Sequence, residues 1–264
     1  MKRGTAILIA LGGEEAVDGE GLGVVRIAQL VGYEKSQVSR ALAALAESGL
    51  VDRDPVTRAY RLGWRFFALA ARSGRPRLMQ LAPTVLGQLV ADLGETAHLS
   101  VLQGTDVLTL LSEAPSSAIK AHGWSGRTVP ASCTSSGRAL LFDHDVPALE
   151  ALFGASTLER RRPRGPATVA QLHRRIRSAR ARGYAVVDEE FEAGLVGTAA
   201  PVRDFSGRII AAINVSGPKF RLGKRLPLAG AAVRRGAGWL SEEMVSAPGA
   251  SGASAGLSAD RPHP

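Results

Sequence analysis

The sequence contains one cysteine, Cys133, and no apolar run that approaches the roughly 20 residues of a membrane-spanning helix. A single cysteine permits no internal disulfide, which suits the reducing cytosol, so we expect a cytoplasmic protein without membrane contact. The five histidines show no metal-ligand spacing, and the cysteine lacks a CxxC partner. The stretch around Ser125 does not fit a nucleophile elbow, and no Lys-Ser or Lys-Thr pair follows Gly12 and Gly13 to make a phosphate loop. These absences predict a protein that is not an enzyme, with no metal and no cofactor.

Length and the distribution of charge limit the architecture. A chain of 264 residues exceeds the usual size of one domain, so two domains are expected. The net charge is +9, but residues 1–73 hold ten basic and eight acidic residues and contribute only +2. A later segment is crowded with arginines and has no acidic residue between them, and we interpret it as solvated surface rather than a nucleic-acid site. Its members are Arg160, Arg161, Arg162, Arg164, Arg174, Arg175, Arg177, Arg180 and Arg182.

The stretch from Val24 to Leu62 predicts a winged helix-turn-helix. Two short helical patterns are separated by Gly32, because a residue without a Cβ atom enters the left-handed conformation at little cost between steeply crossing helices. Ser48 and Gly49 then end the second helix. A charged hairpin with a turn at Pro55 follows and predicts a two-stranded wing.

The second helix of this motif has two different faces. Val38, Ala41, Leu42 and Leu45 recur at helical spacing and form an apolar stripe. The opposite face carries short or bidentate polar side chains, which can reach base edges in a major groove. An amphipathic helix alone is ordinary, but the order of helix, glycine turn, helix and charged hairpin is typical of DNA-binding domains. The predicted DNA contacts are Lys35, Ser36, Gln37, Ser39 and Arg40 of this helix and Arg53 and Arg58 of the wing.

Two further helices are predicted beside the motif. Residues from Thr5 to Leu11 predict the first helix of the DNA-binding domain. Residues from Trp64 to Arg72 predict a linker helix, with an apolar edge that Phe67, Ala68 and Ala71 share with Trp64. A homodimer would cover this edge and would place two recognition helices about one duplex turn apart.

The remainder of the chain alternates strand and helix patterns, which predicts an α+β fold around a central, mostly antiparallel sheet. Pro83 fits the first position of a helix that runs to about Asp92. A loop is predicted up to Ser136, and the composition of residues 246–264 predicts a disordered tail. The predicted strands are Ala97–Gln103, Val107–Ser112, Tyr184–Asp188, Gly197–Val202 and Arg208–Ser216, and the predicted helices are Gly137–Phe142, Val146–Phe153, Thr168–Arg182 and Leu228–Met244.

Four ordered blocks resemble the IclR family of bacterial transcriptional regulators: VSRALAALAESGLV followed by YRLG, GRTVPASCTSSGRALL, GYAVVDEEFEAGLVGTAAPVRDFSG, and AAINVSGP. The resemblance covers essentially the whole chain except the tail. It implies a winged helix-turn-helix, a linker helix and a GAF-like effector-binding domain, in a homodimer or a homotetramer built from dimers. We expect these parts at residues 1–63, 64–75 and 76–245, with the tail at 246–264.

The same resemblance implies an effector pocket. Carried over position by position, the pocket comprises Cys133, Ser135, Ser136, Val187, Gly197, Asn214 and Ser216. Relatives that bind small oxo-acids resemble one another in carrying Asp, Cys and Ser where this chain has Val187, Gly197 and Asn214. The change implies a roomier and less polar pocket for an apolar or bulkier effector, since an unpartnered polar group in a pocket costs about 1 to 3 kcal/mol.

Other roles remain open for several of these residues. Ser135 and Ser136 could cap a helix by accepting from the amides of Gly137 and Arg138. Cys133 could be a buried small apolar side chain instead of a reactive thiol. Amides at the helix start could hold a carboxylate. The acidic run Asp188, Glu189 and Glu190 could pair with the arginine cluster instead of touching a ligand.

The sequence leaves two functions open. The first is a sequence-specific transcriptional regulator, by expectation a repressor, whose operator binding is modulated by a small organic effector, either a carboxylate or an apolar molecule. The second is a winged-helix DNA-binding protein whose C-terminal domain only mediates assembly and senses no ligand.

Overall fold

The computed structural model describes residues 2–13, 15–16, 21–72, 76–115, 124–154, 158 and 164–245. It divides the chain into two compact units, Met1–Gln80 and Leu81–Pro264. The domain limits expected from the sequence stay predictions. The predicted tail and the arginines at 160–162 lie outside the described residues.

The first unit is a winged helix-turn-helix, as predicted. Its elements are α1 (Lys2–Leu11), α2 (Val24–Val31), α3 (Lys35–Glu47), β1 (Val51–Arg53), β2 (Tyr60–Leu62) and α4 (Trp64–Arg72). Ile7 of α1, Ile27 of α2 and Leu42 of α3 are fully buried and pack together. Burial of these apolar stripes stabilises the unit, since a fully buried aliphatic side chain contributes about 1.5–3 kcal/mol.

Two local conformations set the turn and the wing. Gly32 has φ 69°, and its N–H donates to the carbonyl of Ala28 at 3.0 Å, which ends α2 in the left-handed conformation. In the wing, Asp54 Oδ1 accepts from the amides of Val56 and Thr57 at 2.9 and 2.8 Å. This side-chain turn reverses the chain between β1 and β2, and it leaves Arg58 with φ 61°.

The linker helix α4 has the bounds that the sequence predicts. Trp64 and Ala68 of its predicted apolar edge are exposed in the single chain. The side chains of Phe67 and Ala71 lie outside the described residues.

The second unit contains the sheet and the remaining helices. Its elements in chain order are α5 (Pro76–Leu93, which begins in the first unit), β3 (Thr96–Gln103), β4 (Asp106–Glu113), β5 (Thr128–Pro130), a 3₁₀ turn (Ala131–Cys133), α6 (Ser135–Leu140), α7 (Val146–Phe153), α8 (Val169–Arg182), β6 (Ala185–Asp188), β7 (Leu195–Arg203), β8 (Ile209–Pro218), α9 (Lys219–Leu222), a second 3₁₀ turn (Gly223–Arg225) and α10 (Leu226–Val245). The α+β fold with an antiparallel sheet is therefore confirmed.

Several sequence predictions about the bounds of these elements are wrong in detail. The first helix begins at Pro76 and carries Pro83 in its interior. Pro76 also fits a first helical position, and Pro83 removes only the donor to the carbonyl of Met79, a partly exposed residue that water can reach. Tyr184 precedes β6. The stretch predicted as a loop contains β5, which is too short to show an alternating pattern and pairs with the edge of β4.

Within the described residues, the sheet has the strand order β5-β4-β3-β8-β7-β6 with every neighbouring pair antiparallel. Residues directly opposite across two strands share a face of the sheet. His98 lies opposite both Ser112 and Asn214, and Ser216 lies opposite Gly197. These residues belong to the face that α6 and α8 cover, while α10 packs on the other face against Ile213.

Candidate functional site

The predicted DNA contacts of α3 lie on the surface of the first unit. Lys35, Ser36, Ser39 and Arg40 are exposed, and Gln37 is half-buried. Val38 and Leu42, on the other side of the same helix, are 0% exposed. The helix therefore buries its apolar stripe and presents its polar face, as the spacing predicts.

The wing presents two arginines to the solvent. Arg53 is exposed, and its guanidinium carbon lies 5.2 Å from the ring centroid of Tyr60, a cation–π contact that orients the side chain. Arg58 is exposed at the turn. Among the described residues none forms an ion pair with Arg40 or Arg58, whereas Arg61 pairs with Asp54. The unpaired guanidinium groups remain available for phosphate oxygens or base edges.

The second unit contains a cavity of about 80 Å³ between α6 and the polar face of the sheet. Its lining combines hydroxyl and amide groups with aliphatic and aromatic side chains. The lining residues are His98, Ser100, Val107, Thr109, Trp124, Val129, Thr134, Ser135, Ser136, Val187, Phe191, Leu195, Val196, Gly197, Asn214 and Ser216.

The structure brings most of the predicted pocket residues together. Ser135, Ser136, Val187, Gly197, Asn214 and Ser216 line the cavity. Cys133 does not line it: the residue is 1% exposed, and its Sγ lies 3.9 Å from the carbonyl oxygen of Pro130. The thiol is thus buried, which agrees with the alternative reading of a small apolar side chain.

Sequence reasoning missed ten of the sixteen lining residues, and three of these form the aromatic corner of the cavity: His98, Trp124 and Phe191. A signal for His98 existed, because it stands at an alternating position of a strand between apolar neighbours. Trp124 and Phe191 lie outside the helices and strands, where the sequence offers no periodicity.

His98 is the buried titratable group of the cavity. Its Nδ1 lies 2.9 Å from the hydroxyl oxygen of Ser112, and its Nε2 lies 3.4 Å from that of Ser216. Burial lowers the pKa of His98 from 6.5 to about 4, because desolvation disfavours the charged imidazolium. The ring is therefore neutral at pH 7, and each nitrogen can donate or accept according to the tautomer.

Aromatic rings form one corner of the cavity. Trp124 meets His98 edge to face, with ring centroids 6.2 Å apart and planes at 71°. Trp124 also meets Phe191 at 6.4 Å and 65°. These separations and angles are typical of favourable aromatic pairs. Arg127 is exposed and stacks over the Trp124 ring at 5.7 Å, and it is not among the lining residues.

The approach of α6 to the sheet depends on Thr134 and on glycines. Thr134 is the capping residue, since its Oγ1 accepts from the amide of Gly137 at 3.3 Å. The suggestion that Ser135 and Ser136 cap this helix is therefore wrong, because α6 begins two residues earlier than predicted and already includes both serines. A Cβ atom at Gly197 would lie 3.1 Å from Ser135 Oγ, so this glycine lets α6 pack closely against β7.

Ion pairs hold the loop that carries Phe191. Glu190 pairs with Arg138, which is 3% exposed, and with Arg175. Arg138 also donates to the carbonyl of Val186 at 2.9 Å. Glu189 pairs with Arg164, and Lys219 bridges the carboxylates of Asp188 and Glu189. The acidic run therefore pairs with members of the arginine cluster and with Lys219, as one of the sequence alternatives proposed.

None of the helices in the described residues combines the length and apolar character that a membrane crossing requires. Nor do the described histidine, cysteine, aspartate and glutamate side chains form a group of three or more that could hold a metal ion.

Comparison with known proteins identifies both units. Residues 2–55 match the IclR helix-turn-helix domain, and residues 73–241 match the C-terminal domain of the bacterial transcriptional regulator IclR. An IclR transcriptional regulator from Alicyclobacillus acidocaldarius has a similar fold, with a TM-score of 0.71 at 22% identity over 92% of this chain and 97% of that one.

Two curated relatives are similar over most of their length. The HTH-type transcriptional regulator BhcR of Paracoccus denitrificans is 34% identical over 206 residues, covering 76% of this chain and 73% of the relative. The Pca regulon regulatory protein of Pseudomonas putida is 32% identical over 198 residues, covering 74% of this chain and 67% of the relative. The chain therefore belongs to the IclR family of bacterial transcriptional regulators, as a DNA-binding regulator and not an enzyme.

Proposed function

We propose that this regulator is a homodimeric, cytoplasmic repressor that binds an operator through α3 and the wing and releases it when a small organic effector enters the cavity. The observation that supports the proposal best is the division of α3 into a buried apolar stripe and an exposed polar face. The cavity in the second unit supplies a place for the effector. Repression and effector control rest on the family, in which operator binding and a ligand-binding domain are joined in one chain.

The DNA contacts that we propose follow from the exposed side chains. Gln37, Ser39 and Arg40 read base edges in the major groove, and Lys35 and Ser36 at the start of α3 contact phosphate. Arg58 of the wing contacts phosphate or the adjacent minor groove, together with Arg53.

The effector contacts that we propose surround the cavity. The hydroxyl and amide groups of Ser135, Ser136, Asn214 and Ser216 provide hydrogen bonds, while Val187 and Gly197 complete the wall of the pocket. Cavities with apolar walls and a few convergent polar groups are typical ligand sites.

Homodimerisation is proposed through α4. This helix exposes large apolar side chains in the single chain: Trp64 is 81%, Leu69 56% and Phe66 37% exposed. A symmetric dimer would bury them and would present two copies of α3 to successive major grooves. A tetramer built from two such dimers is compatible with the same contact.

The experiment begins with genome-wide mapping of the DNA bound by the full chain, because genes beside an operator indicate the metabolite. A library of small metabolites is then screened for release of the mapped operator from the purified protein. The test variant is Asn214→Leu, in which the new side chain has a similar volume. Asn214 lies in the second unit, whereas the proposed DNA contacts lie in the first. We expect this variant to bind the operator as the wild type does and to need at least about tenfold more effector for release.

The opposite result would favour the assembly-only function. If no compound releases the operator and none raises the melting temperature of the protein, the second unit senses no ligand, since any ligand of the folded state stabilises it by mass action.

A further inference from the structure

Resting on the proposed effector control, we propose that the effector is an uncharged ring compound that carries a hydroxyl group. The ring packs against Trp124 and Phe191, and the hydroxyl group bonds to Nε2 of His98. His98 thereby selects the chemical class of the ligand.

The charge of the cavity lining disfavours an anionic ligand. Among the described residues that line the cavity, none is an arginine, lysine, aspartate or glutamate. Placing a carboxylate there would remove it from water without a cationic side chain beside it, which disfavours the charged ligand. A neutral ligand with hydrogen-bonding groups escapes this cost.

The charged groups beside the cavity are already engaged. Arg138 lies in α6, but its guanidinium donates to Glu190 and to the carbonyl of Val186. Arg175 pairs with the same carboxylate. Breaking such a buried pair to bind an anionic ligand would leave an uncompensated charge, so these arginines hold the loop and do not serve as an anion site.

The aromatic corner of the cavity favours a ligand that contains a ring. The Trp124 ring meets both His98 and Phe191 edge to face, with ring centroids 6.2 Å apart in the first pair and 6.4 Å apart in the second. The lining also includes aliphatic side chains, among them Val107, Val129 and Leu195. A flat ring can make edge-to-face contacts here that an open-chain acid of few carbons cannot.

The polar side chains on this face of the sheet favour a ligand that carries a hydroxyl group. The pleat and register place His98, Asn214 and Ser216 on one face, within a set of small polar side chains. Ser112 holds Nδ1 of His98 at 2.9 Å, while Ser216 approaches Nε2 only to 3.4 Å. Nε2 is therefore the more weakly bonded nitrogen and faces a cavity-lining serine, and a hydroxyl group can serve either tautomer because it both donates and accepts.

The neutral state of the imidazole agrees with this geometry. Burial lowers the pKa of His98 to about 4, so the ring offers a hydrogen bond and no positive charge at pH 7.

The test uses the full chain and isothermal calorimetry with four named probes: 4-hydroxybenzamide, the nearly isosteric anion 4-hydroxybenzoate, benzamide without the hydroxyl group, and glyoxylate without a ring. We expect 4-hydroxybenzamide to bind at least about tenfold more tightly than each of the other three. The proposal is overturned if 4-hydroxybenzoate binds more tightly than 4-hydroxybenzamide, or if glyoxylate binds more tightly than both.

Two variants separate the role of His98 from a merely structural one. His98→Leu should remove the preference for 4-hydroxybenzamide over benzamide. Ser112→Ala, which touches the imidazole but does not line the cavity, should reduce that preference about threefold while benzamide affinity stays constant. Arg208→Gln, at an exposed arginine that pairs with Asp204 and does not line the cavity, should change none of the affinities. Equal losses for both amides in the first two variants, or loss of binding in the third, would contradict the assignment.

Failure of this inference and failure of the proposed function are distinguishable. If an open-chain or anionic metabolite releases the operator, effector control stands and the ring assignment is wrong. If no compound of any class binds or releases the operator, effector control itself is wrong.

Discussion

We propose that individual side chains decide what each unit recognises. In the cavity the deciding residue is His98, whose two nitrogens meet hydroxyl groups of neighbouring strands and whose ring meets Trp124. On the first unit it is Arg40, exposed on the polar face of α3 and unpaired among the described residues. The two proposed roles need opposite environments, since His98 is buried and Arg40 is exposed.

The buried imidazole makes stability depend on pH. Its pKa is 6.5 in the unfolded chain and about 4 in the folded one, so between these pH values the unfolded state binds a proton and the folded state does not. Stability should therefore be intact above pH 6.5 and fall as the pH is lowered toward 4, by about 2 kcal/mol at pH 5.

Urea denaturation of the second unit at pH 7.5 and pH 5 measures this effect against the variant His98→Gln. The variant should lose clearly less stability than the wild type between the two values. Equal losses would mean that other groups account for the pH dependence.

Arg40 and Arg58 should differ in the kind of affinity that they supply. Arg40→Ala should cost about 1–3 kcal/mol on the mapped operator and little on random DNA, because a bidentate contact to a base carries sequence information. Arg58→Ala should weaken binding to both and flatten the dependence on salt.

Fluorescence anisotropy over a range of salt concentrations would separate the two variants. Arg208→Ala provides the control, since this exposed arginine lies in the second unit. An equal loss on operator and random DNA for Arg40→Ala would show that this side chain contacts only phosphate.

Among the elements, those with local signals were predictable from sequence. The two faces of α3 follow from its 3.6-residue period, Gly32 marks the turn by its conformation, and Gly183 ends α8 in the same way with φ 81°. Each signal acts within a few residues of where it is read.

Elements that depend on distant partners were less predictable. The cavity exists because β3 pairs with β8, which brings His98 beside Asn214, and nothing near either residue encodes that register. The resemblance to the IclR family supplied Ser216 and its neighbours but not the aromatic corner. The cap of α6 is ambiguous for another reason, because Thr134 is followed by two serines and all three side chains can cap.

The 3₁₀ turn and α6 should be sensitive to one added methyl group. A Cβ atom at Gly137 would lie 2.1 Å from the carbonyl oxygen of Ala131, a backbone atom that cannot rotate away. Gly137→Ala should therefore destabilise the second unit by at least about 1–3 kcal/mol and disturb the cavity wall.

Gly87→Ala is the matched control, because Gly87 lies within α5 and nothing stands within 4 Å of its Cβ position. This change should be neutral or stabilise by up to about 1 kcal/mol, since alanine favours the helix. Thermal unfolding of the two variants compares them, and similar melting temperatures would contradict the packing argument.

For the whole molecule, the proposed effector control would couple the two units of one chain. Thermodynamic linkage requires the coupling to be reciprocal: an effector that weakens operator binding by a given factor must itself bind the operator-bound protein more weakly by the same factor. Calorimetric titration of the effector with and without operator DNA should show equal factors. An effector affinity that ignores the operator would show that the cavity does not control DNA binding.

Sequence-specific DNA binding by α3 is the claim on which the rest depends, and selection from a pool of random duplexes tests it most directly. The purified chain should enrich one motif with two-fold symmetry, with half-site centres about 34–36 Å apart, as a dimer with two recognition helices requires. The variant with alanine at Gln37, Ser39 and Arg40 should enrich no such motif while still binding DNA weakly. If the wild type enriches no sequence, or the triple variant enriches the same motif, the account is contradicted.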